Sequence, residues 1–498
     1  MKTLRYIMMM FAITLLATSC DDWLDVRGEN ISKEDDQFEN YKGFRDALTG
    51  CYIAMADADA YGKRLTMTDI EYLADLWYVE DGHKTYAPEK YYLSNHDYAN
   101  DYSRPEIKAA YAKLFNVVAS ANVLLKNIES KGDNIIDNAT RKVIEGEAYA
   151  IRAYCQLDIL RLFGQLPKGG TKQVNLPYSY TTNIDERPAY YSYSEYVELL
   201  KKDIEKAESL LKDNDPIFSM TYTELNNPSD AEDDFLYYRQ SRLNYWAVRA
   251  LHARMALYTG DTGEANSIAR EIISAKGTDG NALISLSGIS DLSNAYNALP
   301  TECLFYLSKF DVNDYANDVL TGGRTMQVTN TKCYVSNDML TQLYSSIPGS
   351  MASHNRYLYQ WNRASRDAFA SVCPVTKKYW YDENTVSSKH LVDKNQIIPM
   401  LRMSEIYLIA IETSDNLADA QALYDAYMSE CQFTLYDPFE SLDAMRKEML
   451  NEYRREFYAE GQMFYCYKRN ASKNIMFLNK EMQEEDYILP LPSTEVGN

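Results

Sequence analysis

Residues 242–273 read RLNYWAVRALHARMALYTGDTGEANSIAREII, and this stretch decides the fold. Ala250, Ala253 and Ala256 place small side chains on one face of a helix, where a second helix can approach closely. Gly260 followed by Asp261 interrupts the apolar pattern, which then resumes. The stretch therefore predicts two helices joined by a tight turn.

The same plan returns in residues 402–428, RMSEIYLIAIETSDNLADAQALYDAYM. A helix, a short polar turn and a helix rich in small residues resemble a tetratricopeptide unit. The chain lacks a clean repeat of about 34 residues, the usual period of such units. We therefore expect helix pairs at irregular intervals along the chain, and not a regular array.

Helical spacing of apolar residues continues through much of the chain. Tyr196, Leu200 and Ile204 share one helix face, and Ser192 with Glu195 forms a capping box before them. Helices are predicted over residues 106–129, 141–163, 242–259, 264–275, 402–413, 417–429 and 442–468. The stretches between them, rich in Tyr, Asn, Asp, Ser and Gly, are 57–104, 165–190, 213–240 and 277–400. Strand composition occurs at 301–310 and 376–381. The pattern predicts a mostly α fold, with helix pairs packed against an irregular, loop-rich half that has a few short strands.

Composition excludes several classes of protein. The chain has 498 residues, with 72 Asp and Glu against 51 Lys and Arg, and a formal net charge of −21. Nucleic-acid binding is not expected, because it needs a basic face for phosphates. A hydrophobic content of 46% is typical of a globular protein. Tyrosine is abundant, with 43 residues, and histidine is scarce, with 5.

The N-terminus carries an export signal. Lys2 and Arg5 precede the apolar run IMMMFAITLLA, residues 7–17, which is too short to span a bilayer. Small residues then lead to Cys20, as in the lipobox of bacterial lipoproteins, so we expect residues 1–19 to be removed and Cys20 to be lipidated. A plain secretory signal is the alternative. The seven further cysteines are odd in number and include no C-x-x-C, which argues against a zinc ribbon or a disulfide framework.

Taken in order, the motifs resemble those of the SusD/RagB family of outer-membrane nutrient-binding lipoproteins. They begin with the Cys20 lipobox and EGEAYAIRAYCQLDILRLFGQLP at residues 145–167. Later ones include the helix of 250–261, Glu302 to Tyr306, Arg402 to Glu412, NEYRREFYAEG at 451–461 and the LPLP of 489–492. The chain departs from the family pattern at Met463 and Cys466, where an Arg and an Asp are usual.

The resemblance implies a single SusD-like domain over residues 20–498, with an N-terminal part of about 20–225 and a C-terminal part of about 226–498. It implies four tetratricopeptide-like helix pairs and a lipid anchor at Cys20 on the outer face of the outer membrane. The implied partner is a SusC-like TonB-dependent barrel transporter. Proteins of this family bind glycans, glycopeptides or peptides and pass them to the barrel. They are not enzymes, and the resemblance implies no cofactor.

The sequence gives little support for catalysis or metal binding. The sequence contains no H-E-x-x-H, G-x-S-x-G, G-x-G-x-x-G or P-loop. The five histidines show no metal spacing, and we predict no metal site. A surface glycosidase needs only two carboxylates, so it stays an alternative. Asp57 and Asp59 resemble the start of a calcium loop, but Thr68 replaces the Glu that such a loop requires, which leaves calcium only as a secondary structural alternative.

Aromatic residues are the candidate ligand contacts, because sugar rings stack on flat apolar surfaces while their hydroxyls need polar partners. One loop-rich stretch holds the main candidates, Asp75, Trp77, Tyr78, Tyr86, Tyr91, Tyr92 and Asn95, with Tyr98 and Tyr102 nearby. Tyr315 and Arg324 form a second set. The alternative is that many of these rings fill the core; Trp246, Trp361 and Trp380 are interpreted as structural.

The sequence therefore favours a non-catalytic binder of oligosaccharides that serves a TonB-dependent transporter. A binder of peptides or glycopeptides on the same scaffold is the main alternative, and a pocket lined by charges would favour it. We expect Trp77→Ala or Tyr91→Ala to weaken glycan binding without unfolding the protein.

Overall fold

The computed structural model describes residues 34–182, 186–228, 233–320, 329, 331–347, 349–367, 369–384, 391–431 and 437–492. Its helices are α1 Glu34–Gln37, α2 Tyr41–Met55, α3 Asp69–Leu73, α4 His83–Tyr86, α5 Pro88–Ser94, α6 Ser103–Lys131, α7 Asn138–Phe163, α8 Tyr193–Leu211, α9 Tyr222–Leu225, α10 Tyr245–Thr259, α11 Thr262–Ser274, α12 Gly288–Ser293, α13 Val312–Val319, α14 Asn337–Leu343, α15 Asn355–Tyr359, α16 Met403–Glu412, α17 Leu417–Cys431, α18 Leu442–Glu456 and α19 Met463–Arg469. Its strands are β1 Leu176–Pro177, β2 Tyr190–Tyr191, β3 Cys303–Ser308, β4 Trp361–Asn362, β5 Val375–Thr376 and β6 Ile397–Arg402. The expected fold class, mostly α with a few short strands, is confirmed.

Four helix pairs stack in series in the part of the chain that the structure describes. They are α2 with α6, α7 with α8, α10 with α11, and α16 with α17. The pairs join through contacts of α6 with α7, α8 with α10 and α11 with α16. These four pairs form the helical half of the molecule. The shorter helices and the strands pack against it.

The pair formed by α10 and α11 arises as the opening stretch of sequence predicts. Asn244 Oδ1 accepts the Ala247 N–H at 3.0 Å and starts α10. Gly260 ends this helix at φ 92°, a left-handed conformation that glycine adopts without steric cost. Asp261 Oδ1 then accepts the Glu264 N–H at 3.0 Å and starts α11.

The expectation of one helical stretch over residues 442–468 is wrong, because a turn separates α18 from α19. Ala459 and Gly461 both have positive φ, at 62° and 73°. The buried Glu71 carboxylate accepts the N–H of Ala459 at 3.0 Å and of Gly461 at 2.8 Å. This tertiary contact supplies the hydrogen bonds that a continuous helix would have made internally.

The longest strand pair lies between the helical pairs. β3 was expected from its composition and pairs antiparallel with β6, whose sequence gave no separate signal. β4 pairs antiparallel with β5 to form a short hairpin. Of the segment 376–381, which also has strand composition, only Thr376 lies in a strand. Stretch 57–104 also differs from the expectation, because α3, α4 and α5 interrupt it.

Charged residues of the sequence motifs pair inside the core. Arg402 Nη1 donates to Glu456 Oε1 at 2.6 Å, and both side chains are buried. Arg254 of α10 donates through Nε and Nη2 to the two oxygens of Glu405 of α16, at 2.7 and 2.6 Å. That bidentate bond joins two helix pairs. These motif residues therefore hold the fold together.

Several N-terminal predictions lie outside the described residues. They are the signal segment and the lipidation of Cys20. Within the described ranges, no helix is both long enough and apolar enough to cross a bilayer. The seven cysteines that the structure describes are free and buried. The division of the chain near residue 225 stays a prediction.

Candidate ligand-binding surface

Trp77 does not belong to a ligand-binding surface, so its assignment as a contact was wrong. The side chain is 1% exposed, and its Nε1–H donates to Met67 O at 2.9 Å. Its ring packs edge-on against Tyr458, with centroids 5.2 Å apart. A tryptophan whose N–H is satisfied inside the core is a structural residue. Tyr98, from the same stretch, is also buried and donates to Asp486 O at 2.5 Å.

Asp75 is buried too, which corrects its assignment as a direct ligand contact. Its Oδ1 accepts the Ser94 hydroxyl at 2.7 Å and so ties the segment before Trp77 to the end of α5. The residue has a φ of 54°, unusual for a non-glycine residue. Burial raises the pKa of the Asp75 carboxyl to about 7. Asp75 acts by positioning α5.

The remaining tyrosines of the stretch are partly exposed and form two adjoining groups. The first group centres on Tyr78 and Tyr86, whose hydroxyls donate to the two oxygens of Glu80 at 3.1 and 2.9 Å. His83 lies between them, and its Nδ1 accepts the Glu80 N–H at 3.1 Å. Tyr78 also packs on the buried Tyr334, with ring centroids 5.5 Å apart.

The second group stands on α5 and the start of α6. The rings of Tyr91 and Tyr92 meet edge to face at 5.4 Å. Those of Tyr92 and Tyr102 are parallel, with an angle of 1° and a centroid distance of 6.0 Å. Lys84 of α4 lies 6.0 Å from the centre of the Tyr91 ring and links this group to the first. Pro88 favours the start of α5 at this point, because its fixed φ suits the first helical position.

We call the partly exposed rings of these two groups, together with their buried base Tyr334, the aromatic strip. Its members are Tyr78, Tyr86, Tyr91, Tyr92, Tyr102 and Tyr334. Two hydrogen bonds join the stretch 78–102 to residues 331–334 of the loop-rich half. Tyr78 N–H donates to Tyr334 O at 2.8 Å, and Lys90 of α5 donates to Thr331 O.

The electrostatics of the strip suit a ligand rich in hydroxyl groups. Burial and the Glu80 carboxylate raise the pKa of Tyr86 to about 12, and burial raises that of Tyr78. Both hydroxyls therefore stay protonated at neutral pH. Burial lowers the pKa of His83, which keeps its ring neutral. Flat rings with neutral polar edges are a surface on which sugar rings can stack.

Three further residues predicted as ligand contacts do not belong to the strip. Asn95 is exposed at the end of α5, where its Nδ2 donates to Tyr91 O at 2.8 Å. Tyr315 is half-buried in α13, with Lys309 Nζ 4.4 Å from its ring centre, and among the described residues it makes no ring contact with the strip. Arg324 lies outside the described residues.

Sequence reasoning missed Tyr334 and Glu80. Tyr334 belongs to the long stretch 277–400, which was expected to be a working surface, but no spacing links it to Tyr78. Glu80 was one acidic residue among many, and only the geometry places its carboxylate between two tyrosine hydroxyls. Contacts between distant parts of the chain leave no local pattern.

One cluster of possible metal ligands already has other partners. Ligand atoms of Cys431, Glu452 and Glu456 lie within 4.8 Å of one another. Arg356 Nε already donates to Glu456 Oε2 at 3.0 Å, and Arg455 Nε donates to Glu452 Oε2 at 2.8 Å. Burial raises the pKa of the Cys431 thiol well above its usual value, so the sulfur is not an available thiolate.

The segment that resembles the start of a calcium loop also has its carboxylates paired with basic side chains. Asp57 Oδ2 accepts from Lys113 Nζ at 3.0 Å, and Asp59 Oδ1 accepts from Arg64 Nη2 at 2.8 Å. A cation site would need these carboxylates to converge on an ion. Their pairing with a lysine and an arginine does not fit calcium.

No protein-family model and no curated protein sequence matches the chain. Solved structures do match. A SusD superfamily protein from Bacteroides thetaiotaomicron has a TM-score of 0.67 and 19% identity, over 92% of this chain and 97% of that one. Surface glycan-binding protein A from the same species, in complex with laminarihexaose, has a TM-score of 0.65 and 15% identity, over 91% and 97%. A laminarin-binding SusD-like protein has a TM-score of 0.62 and 16% identity, over 92% and 97%.

These likenesses define the class: the chain has the SusD-like fold, with four stacked helix pairs and a loop-rich half. The resemblance that the sequence motifs carry is thereby confirmed at the level of the fold. Two of these structural neighbours are named for binding laminarihexaose or laminarin, which is a property of those proteins.

Proposed function

We propose that this protein binds oligosaccharides on the aromatic strip. The observation that carries the proposal is the row of partly exposed tyrosines held on short, well-anchored helices. Sugar rings stack on such faces at low cost in side-chain entropy, because a tyrosine has only two rotatable side-chain bonds. Proteins with the same fold that bind laminarihexaose and laminarin support the choice of ligand class.

The proposed role is capture without catalysis. The tyrosine hydroxyls around Glu80 hold its carboxylate between them, and burial keeps His83 neutral. Incubation of the protein with each bound oligosaccharide, followed by chromatography, tests this part. We expect the oligosaccharide to be recovered intact; release of shorter products would contradict capture and support the glycosidase alternative.

Calorimetry with a panel of ligands tests the ligand class. The panel begins with laminarihexaose and includes hexasaccharides of other neutral sugars, and peptides of similar size. We expect at least one oligosaccharide to bind, and Tyr91→Ala to weaken that binding by about 10-fold or more, which equals about 1.4 kcal/mol. Tyr190→Ala is the matched control, because Tyr190 is 42% exposed and lies on β2, outside the strip. Binding of peptides, with no binding of any oligosaccharide, would support the alternative that the protein is a peptide or glycopeptide binder.

The cellular setting is part of the same proposal. The lipobox at Cys20 suggests a lipid anchor on the outer face of the outer membrane, and the SusD-like fold suggests a SusC-like TonB-dependent barrel as partner. Cys20→Ser tests the anchor: we expect the variant to leave the membrane fraction while the wild type stays. Recovery of a barrel protein with the wild type after mild detergent extraction would support the partner. Extraction of the anchored protein without any barrel would count against it.

A further inference from the structure

An open cavity lies on the helical half, with a volume of about 620 Å³. It is lined by the turn between α6 and α7, the segment after α8 and residues 233–237. This volume falls within the range of small-molecule sites in proteins. No residue of the aromatic strip lines it, so it is a separate feature of the molecule.

Two large apolar side chains face this cavity while exposed to solvent. Ile136 is 72% exposed and Phe218 is 38% exposed. Phe218 is held firmly, because its ring packs on Tyr245 at 5.0 Å and on Trp246 at 6.4 Å. Single exposed apolar residues are ordinary, but two that share one concave surface mark a place where a ligand can bury them.

The charge around the cavity has one sign. Among the described residues its lining contains four aspartates, Asp137, Asp213, Asp215 and Asp233, and neither a lysine nor an arginine.

Two of these four carboxylates are already neutralised. Arg239 pairs with Asp215 at 2.8 Å, and Arg45 pairs with Asp233 at 3.2 Å. In the described part of the chain, neither Asp137 nor Asp213 has a cationic partner. Asp213 therefore remains available to a positively charged group, whereas the two oxygens of Asp137 accept the Thr140 N–H and hydroxyl as the N-cap of α7.

Asp137 is the N-cap residue of α7. Its Oδ1 accepts the Thr140 N–H at 2.9 Å, and this hydrogen bond lowers the pKa of the carboxyl. Asp213 follows α8 with a φ of 62°. The cavity thus combines a rigid aromatic face with two anionic groups, and adds neutral polar side chains at Asn214 and Ser219.

We propose that this cavity binds a sugar unit that carries a free amino group, with its ring face on Phe218 and its ammonium group paired with the Asp213 carboxylate. The aromatic face suits the apolar side of a sugar ring, the carboxylate suits the cation, and Asn214 and Ser219 suit the hydroxyls. The inference goes beyond the proposed function, since it concerns a different surface and a ligand of different charge.

Calorimetry with three tetrasaccharides tests the inference. They are a tetramer of glucosamine, its fully N-acetylated form and a neutral tetramer of glucose. We expect the amine form to bind at least about 10-fold more tightly than the other two, because only it carries the cation. Phe218→Ala and Asp213→Asn should each weaken its binding by about 5-fold or more. Asparagine is chosen at 213 because it tolerates a left-handed backbone.

Matched variants control for general effects. Ile53→Ala removes an exposed apolar side chain outside the cavity, and Asp443→Asn removes an exposed carboxylate elsewhere; both should bind the amine form as the wild type does. Tyr91→Ala should also bind it normally, which separates this site from the strip. Equal affinity for the three tetrasaccharides, unchanged binding in Phe218→Ala, or tighter binding of tetralysine than of the amino sugar would overturn the proposal. Circular dichroism confirms that each variant is folded.

Discussion

At the scale of single residues, buried side chains beneath the strip decide how its rings are held. Asp75 fixes α5 through Ser94, and Trp77 packs on Tyr458 while its N–H donates to Met67 O. Neither side chain reaches solvent to any useful extent. The positions of the exposed tyrosine rings therefore depend on residues that are themselves buried.

Asp75→Asn should change how stability depends on pH. In the folded protein the pKa of Asp75 is raised to about 7 from its usual 3.8, because burial disfavours the charged form. The protonated form therefore contributes stability at low pH, and this contribution is lost as the pH rises through about 7. We expect the unfolding free energy of the wild type, relative to the variant, to fall by about 2 to 3 kcal/mol between about pH 5 and pH 8. Denaturant titrations at both pH values measure it, and equal pH dependence in the two proteins would refute the assignment.

Trp77→Ala should destabilise the protein. Removing a fully buried tryptophan costs about 3 to 5 kcal/mol, through lost burial and the cavity left behind. Thermal unfolding measures the loss, and Trp246→Ala serves as a comparison because that side chain is only partly buried. A change within about 1 kcal/mol for Trp77→Ala would mean that the ring does not support the core.

At the scale of elements, the turn between α18 and α19 connects the helical half to the segment beneath the strip. Glu71 of α3 accepts the N–H of Ala459 and Gly461, and the backbone at Gly461 passes close to Leu65. A β-carbon at position 461 would meet Leu65 O at 2.1 Å. Only glycine fits both this contact and the φ of 73°.

Gly461→Ala should therefore lower the unfolding free energy by about 2 kcal/mol or more, because it adds steric overlap to an unfavourable φ. Gly50→Ala is the matched control. Gly50 lies within α2, and a β-carbon there would meet nothing within 4 Å. Alanine at position 50 should stabilise the helix by about 0.5 to 1 kcal/mol. Denaturant unfolding of both variants checks the pair; equal effects in the same direction would contradict the steric account.

An element can be predicted from the sequence when the residues that define it are close together in the chain. The capped pair α10 and α11 could be predicted, because Asn244, Gly260 and Asp261 act on their own neighbours. The break before α19 could not, since Glu71 and Gly461 are far apart in the chain. The grouping of Tyr78, Tyr86, Tyr91 and Tyr92 in one stretch could be predicted, but Trp77 and Tyr91 look alike in sequence and only the structure shows that Trp77 is buried. Of the 43 tyrosines, 21 are buried within the described ranges, and only packing separates these from the exposed ones.

At the scale of the whole molecule, the two candidate surfaces differ in charge. The strip presents neutral rings with protonated hydroxyls, whereas the described lining of the helical cavity presents Asp137 and Asp213 without a basic side chain. The chain as a whole carries a net charge of −21. Long-range attraction should therefore favour cationic ligands at the cavity and should matter little for neutral sugars at the strip.

Salt concentration should affect ligand affinity at the cavity more than at the aromatic strip. Raising sodium chloride from about 0.05 to about 0.5 M screens exposed charges. We expect the affinity for a neutral oligosaccharide to stay within about 2-fold, since stacking does not depend on charge. The affinity for the glucosamine tetramer should fall by about 5-fold or more. Calorimetry at the two salt concentrations measures both, and an equal response of the two ligands would contradict the separation.

The most direct test of oligosaccharide capture is a crystal structure of the protein with the tightest neutral oligosaccharide of the panel. We expect sugar rings within about 4 Å of the Tyr78 or Tyr91 ring, with their faces parallel to the aromatic plane. A well-ordered oligosaccharide bound elsewhere, with the strip free of sugar, would contradict the central claim.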